Sequence, residues 1–167
     1  MSEREEQYRR TVANWHGALR RLAASFEADA ALREDLLQEI LLALWRALPA
    51  WRGECSERTF VFRIACNRAV SHAWRRAPRS VDLESAAAVA DPAPGPDELA
   101  SQGQRRDRVW RALRALPLIH REVLGLSLEG LRPAEVAEVL GITENAVGVR
   151  LTRARKALRA LLDGGAT

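Results

Sequence analysis

Residues 132–162 read RPAEVAEVLGITENAVGVRLTRARKALRALL. A short helix from Pro133 to Leu140 runs into Gly141, a residue free to take the positive φ that a sharp turn between helices requires. Ile142 is placed to plug the angle between the helices. Thr143 is a good N-cap, its hydroxyl accepting an early backbone N–H, and Val147, Leu151, Ala154 and Leu158 mark the buried face of the next helix. The stretch from about Arg132 to Leu162 is therefore a helix-turn-helix.

With that face inward, Thr143 begins a helix whose outward side carries Glu144, Asn145, Gly148, Val149 and Thr152. This is the N-terminal half, the part that a recognition helix inserts into the major groove. Arg150, Arg153, Arg155 and Lys156 are placed to neutralise phosphates, which fix position without much sequence choice. A basic hairpin with merely solvated arginines would carry the same charge. Turn chemistry, cap, apolar spacing and one-sided basicity agree on DNA binding instead. Gly148 and Val149 offer little hydrogen bonding at positions that face DNA.

The rest of the 167-residue chain reads in the same way: Ala, Leu, Arg and Glu dominate and apolar residues recur at three and four, so the fold class is all-α. Tyr8, Val12, Trp15, Leu19, Leu22 and Phe26 give a helix over about 4–27. Leu36, Leu37, Ile40, Leu44 and Leu48 give a second from about Ala31 to Leu48, stopped by Pro49. A third runs from about Arg58 to Arg76, closed by Pro78. Residues 78–104, PRSVDLESAAAVADPAPGPDELASQGQ, are too poor in large apolar residues to pack a core and read as a flexible linker. Beyond it, a helix near Arg105 to Ala115 buries Val109, Leu113 and Leu116, and another spans about His120 to Leu126. Two small helical domains result, 1–77 and 105–167.

Charge follows this division. Residues 1–77 hold 13 basic against 10 acidic residues, 78–104 hold 1 against 5, and 105–162 hold 12 against 6. Two basic blocks thus flank an acidic connector, within a net charge of +4. Cys55 and Cys66 form neither a disulfide framework nor a zinc site, and His16, His72 and His120 are scattered, so no metal, cofactor or catalytic residue is expected. The charged start MSEREEQYRR lacks a signal-peptide core and no apolar run reaches membrane-spanning length, which points to a cytoplasmic protein.

Two faces of the first domain invite partners. On the third helix Phe62, Ile64, Ala65, Ala69 and Ala73 lie on one side, while Arg63, Asn67, Ser71 and Trp74 line another. That line suits stacking on unpaired bases, with Arg68, Arg75 and Arg76 near phosphates. It equally fits a solvated side with one Trp against a loop. On the second helix Asp35, Gln38, Glu39 and Arg46 oppose the core, with Leu42 among them and Trp45 at the border. A lone exposed leucine is ordinary, so this geometry alone favours plain surface.

Three segments together resemble the small two-domain sigma factors of bacterial RNA polymerase, the extracytoplasmic-function or group four members of the sigma-70 family. DLLQEILLALWRALPAWRG is similar to the polymerase-contacting helix of that family, RTFVFRIACNRAVSHAWRR to its promoter-melting and −10-recognition helix, and LPLIHREVLGLSLEGLRPAEVAEVLGITENAVGVRLTRARKAL to its −35-reading domain. The resemblance implies that Asp35, Gln38, Glu39 and Leu42, with Trp45 and Arg46 beside them, contact the β′ clamp helices, and that the β flap is a further polymerase contact. It also implies that Asn67 and its surroundings face the −10 element, that the loop Trp51 to Glu57 lies near a captured base, and that an anti-sigma factor is a partner. Phe60, Glu57 and Ser71 depart from the residues usual in the family, which are Trp, an aromatic or apolar residue, and Asp.

The function expected is that of a transcription initiation factor that docks on core polymerase, reads both elements and promotes strand opening without bond chemistry. The acidic linker would fit a basic polymerase channel in place of nucleic acid. Two alternatives differ in class. A one-component repressor or activator would dimerise and read palindromic half-sites a helical turn apart. An enzyme would use Cys55 or Cys66 as nucleophile with a histidine.

Overall fold

A computed structural model of the chain describes residues 2–77 and 102–164, so the expected linker lies mostly outside the described residues. Among these residues there are seven α-helices and no strand: α1 Glu3–Phe26, α2 Ala30–Ala47, α3 Glu57–Arg76, α4 Gln102–Arg114, α5 Leu118–Leu128, α6 Pro133–Leu140 and α7 Glu144–Gly164. A single 3₁₀ turn, Leu48–Ala50, holds Pro49.

Local chemistry sets the boundaries. Ser2 and Glu5 form a capping box on α1, the Ser2 hydroxyl accepting from the Glu5 N–H and the Glu5 carboxylate from the Ser2 N–H. Asp29 accepts from the Leu32 N–H and Ser56 from the Thr59 N–H, starting α2 and α3. Pro133 occupies the first turn of α6, where no N–H is required. Gly141 ends that helix in the left-handed conformation at φ 66°, as the turn demands.

The expected faces of α1, α2 and α3 close on one another. Leu19, Leu22, Leu36, Ile40, Leu44 and Phe62 are fully or almost fully buried. In the C-terminal part Val123, Leu126, Val136, Val147 and Ala154 are equally inaccessible. These two sets do not form separate cores. They join one continuous cluster, because the C-terminal half of α1 packs on α4 and α5, and α3 packs on α6.

Two details correct the sequence reading. Val109 is 39% exposed instead of buried: α4 is exposed from Gln102 through Val109, tied to α7 there by the Arg108 guanidinium donating to the Leu162 carbonyl, and it meets the core only from Trp110 onward, through Ala112 and Leu113. Residues 102–104, assigned to the linker, are helical and open α4.

Polar groups fasten what the apolar faces bring together. The Glu27 carboxylate, 5% exposed, receives Nε2 of His72 at 2.7 Å, Nε of Arg76 at 2.9 Å and the Asp29 N–H at 3.0 Å. Glu57 accepts from the Thr11 hydroxyl at 2.6 Å and Trp15 Nε1 at 3.3 Å, tying α1 to the start of α3. Arg121 is buried and donates to the carbonyls of Arg114 and Leu116 at the end of α4, its guanidinium lying 5.5 Å from the Phe26 ring centroid. Burial, with Arg114 nearby, brings its pKa down to about 10.

Candidate nucleic-acid and partner interfaces

The turn from α6 to α7 positions the first surface. Thr143 Oγ1 accepts from the Ala146 N–H at 3.1 Å, and Val147, Leu151 and Ala154 fix the rotation of α7 by burying its inner face. Thr143, Glu144, Asn145, Gly148, Val149, Thr152, Arg153, Arg155 and Lys156 are then all exposed. Pro133, Glu144, Asn145, Gly148, Val149, Thr152 and Arg153 line one open concavity of about 730 Å³. A Cβ at Gly148 would meet nothing within 4 Å, so this glycine leaves the helix surface bare without serving the packing. The Thr152 hydroxyl donates to the Gly148 carbonyl at 3.0 Å, which leaves its oxygen as an acceptor.

Arg150 differs from its neighbours. It is half-buried and close enough to Glu122 on α5 to act on its carboxyl. Burial raises the Glu122 pKa, and Arg150 and Arg121 oppose that rise.

A second surface lies along α3. Asn67, Arg68, Ser71, Trp74, Arg75 and Arg76 are exposed, Trp74 at 42%, while Arg63 is half-buried. Most of the basic side chains here have internal partners. Arg75 meets the Glu39 carboxylate at 2.8 and 3.1 Å, Arg76 reaches Glu27, and Arg63 donates to the Glu138 carbonyl at 3.2 Å. The loop before α3 is fixed: Trp51 stacks on Phe60 at 5.6 Å between centroids, and its indole N–H donates to the Cys55 carbonyl.

On α2, Asp35, Gln38 and Arg46 are exposed and Leu42 is 48% exposed. Glu39, Leu42 and Arg46 share a groove of about 470 Å³ with Asn67 and Arg68, so the structure joins residues expected to serve two different partners. Trp45 does not join them. It faces α1, edge-on to Tyr8 at 5.2 Å, with the Arg4 guanidinium 4.3 Å from its ring centroid.

Cysteine chemistry has little support in this setting. Cys66 is buried, and burial together with the nearby Glu122 pushes its thiol pKa up, against thiolate formation. Among the described residues no group of three or more His, Cys, Asp or Glu side chains is placed to hold a metal ion, and no helix is long and apolar enough to cross a membrane.

Comparison with known proteins matches both halves. The profile of Sigma-70 region 2 covers residues 11–79 and that of Sigma-70, region 4 covers residues 106–158. The chain is 34% identical over 158 residues to the RNA polymerase sigma factor CnrH of Cupriavidus metallidurans, covering 89% of this chain and 83% of that one. It is 31% identical over 134 residues to the ECF RNA polymerase sigma-E factor of Escherichia coli, covering 74% and 70%. Against the probable RNA polymerase sigma factor RfaY of Xanthomonas campestris it is 33% identical over 162 residues, 93% of this chain but only 40% of the length of RfaY. The solved structure of CnrH in complex with the cytosolic domain of CnrY superposes with a TM-score of 0.71 at 28% identity, covering 96% of this chain and 90% of that one.

Proposed function

We propose that this chain, which belongs to the extracytoplasmic-function (ECF) group of sigma-70 RNA polymerase sigma factors, docks on core polymerase through the open face of α2 and reads a promoter with α7 and α3. The observation that carries this reading is the outward face of α7, a capped and rigidly seated helix whose free side joins Asn145 and Thr152 to exposed Arg153, Arg155 and Lys156. Such a face offers base-edge contacts near the helix N-terminus and phosphate contacts further along. Thr143 through Thr152 read the −35 element. Residues 105–167 are the domain that does so, and residues 1–77 bind polymerase and open the −10 region.

Asp35, Gln38, Glu39, Leu42 and Arg46 meet the β′ clamp helices, and the C-terminal domain meets the β flap. Asn67, Ser71 and Trp74 receive unpaired bases of the −10 element, with Arg68, Arg75 and Arg76 toward phosphates. The work is non-covalent: binding free energy shifts the population toward separated strands, with no catalytic residue and no cofactor. The setting is the cytoplasm. The acidic residues of 78–104 occupy a basic polymerase channel, and reversing them to Lys impairs initiation if this is so. By the likeness to CnrH, solved in complex with the cytosolic domain of CnrY, a protein that binds this chain directly is a partner, and the family resemblance makes that protein an anti-sigma factor.

The test is co-assembly. Purified protein, core polymerase and promoter duplex are resolved by size-exclusion chromatography, and one copy of the chain is expected to travel with polymerase and DNA. A dimer that binds palindromic DNA without polymerase would replace this reading with that of a repressor or activator.

A further inference from the structure

The outward stripe of α7 has a chemistry of its own. Asn145, Gly148, Val149 and Thr152 recur at helical spacing and share one exposed face. Asn145 carries donors and an acceptor, but past it the stripe runs out of donors. Gly148 has no side chain, Val149 is a branched hydrocarbon left 44% exposed, and the Thr152 hydroxyl spends its proton on the Gly148 carbonyl at 3.0 Å. What Thr152 has left to offer is a methyl group and an acceptor oxygen. Gly148 itself is not required by the fold. A helix interior disfavours glycine relative to alanine, the φ of Gly148 is not among the positive ones, and a Cβ there would meet nothing within 4 Å. Beside an exposed valine, it leaves a shallow apolar seat in the wall of the concavity that Asn145 and Arg153 also line.

The surrounding charge names the occupant. Arg153, Arg155 and Lys156 are exposed next to this seat, which suits the backbone of duplex DNA. Base pairs differ in what they show in the major groove: guanine presents two acceptors, N7 and O6, whereas thymine presents a methyl group. A guanine against Gly148 and Val149 would lose water from its acceptors and gain no donor in exchange. A thymine would instead lay its methyl on the Val149 side chain, apolar against apolar. We infer that Gly148 and Val149 form a thymine-methyl site: the base pair facing them is A·T, and its methyl sits against Val149 over the bare helix surface at Gly148. This rests on the reading of α7 as the −35 reader, and it makes Val149 the residue that decides one position of that element. The scarcity of hydrogen-bonding groups here is then the source of the selectivity, because the seat accepts a methyl and leaves a guanine unsatisfied.

The experiment uses holoenzyme assembled from core polymerase and the full chain, with a promoter duplex that the wild-type holoenzyme selects from genomic fragments. Each thymine of its −35 element, on both strands, is replaced in turn by deoxyuridine, which lacks only the 5-methyl group, and affinity is measured at fixed salt. Wild type is expected to lose about fourfold at one position, the contribution of one buried methyl-sized group. Val149→Ala should bind the thymine promoter more weakly and be indifferent to uracil at that position. Gly148→Ala should raise the Tm, since alanine favours the helix, and yet weaken the same promoter, because its Cβ stands where the methyl is seated. Uracil without effect at every position in the wild type overturns the proposal, as does a wild-type preference for guanine at the position that Val149 governs. An undiminished uracil effect in Val149→Ala overturns it too, and so does Gly148→Ala that binds as tightly as wild type. Wild-type holoenzyme that selects no promoter at all is a separate result, which sinks the sigma-factor reading and the thymine site with it.

Discussion

Replacing Glu27 by Ala removes the carboxylate on which three groups converge, and the structure sets the size of the effect. His72 and Glu27 have only 7% and 5% of their side chains exposed, so their bond at 2.7 Å is made out of water. A hydrogen bond to a charged group contributes about 1.5–3 kcal/mol, and stranding a buried partner adds to the loss. The Arg76 contact is worth less, since half of that side chain is in solvent and screened. Together these give a destabilisation of about 3 kcal/mol, or a fall in Tm of roughly 6–12 °C for a domain of this size. Thermal unfolding followed by far-ultraviolet circular dichroism measures it. Glu27→Gln, which keeps an acceptor for the Asp29 N–H, should lose about half as much. Glu27→Leu with His72→Leu should be less damaging than Glu27→Leu alone, because no buried ring nitrogen is then left without its acceptor. A Tm for Glu27→Ala within about 2 °C of wild type would refute the assignment of this junction as a fastening of α1 to α3.

Three further outcomes follow from other sites. Burial holds the Glu122 pKa above its usual value, so the folded chain binds more protons than the unfolded one between that usual value and the raised one. Stability therefore falls as pH rises through this window; Glu122→Gln should raise the urea midpoint at neutral pH, with the gain vanishing below about pH 4, and a lower midpoint at neutral pH would show that the charge on Glu122 stabilises the fold. Arg153→Ala with Lys156→Ala should lower the salt dependence of polymerase-bound promoter affinity by about 1.8 in log–log slope, near 0.9 for each phosphate contact; an unchanged slope would remove both from the backbone contacts. Leu42→Asp should weaken core polymerase binding at least about tenfold while leaving the Tm unaltered, since Leu42 is already 48% exposed; unaltered binding would take α2 out of the interface.

Local features of the sequence were the legible ones. Apolar spacing located α1, α2 and α3, Pro49 and Pro78 marked their ends, and Gly141 with Thr143 fixed the turn into α7. The same spacing misread Val109, four residues before Leu113 and so on its face, because periodicity does not tell where along a helix burial begins. Trp45, read as the border of a binding face, is drawn to Tyr8 and Arg4 of α1. Polar pairing over long separations left no periodic trace. Glu57, noted as the end of a loop near a captured base and as a departure from family usage, serves Thr11 and Trp15 from more than forty residues away. His72 and Glu27, and Arg21 and Glu129, meet only once the helices have packed. The closure of one helical part on the other was likewise unreadable, since a segment such as 78–104 dictates no geometry in its composition.

The most direct test of the central claim is transcription reconstituted from core polymerase, this chain and fragmented genomic DNA, with the transcript 5′ ends sequenced. Ends that depend on the chain should cluster downstream of a shared pair of upstream elements, and Asn145→Ala should alter their choice through the −35 position alone. Core polymerase that gains no specific start sites in the presence of the chain would contradict the account.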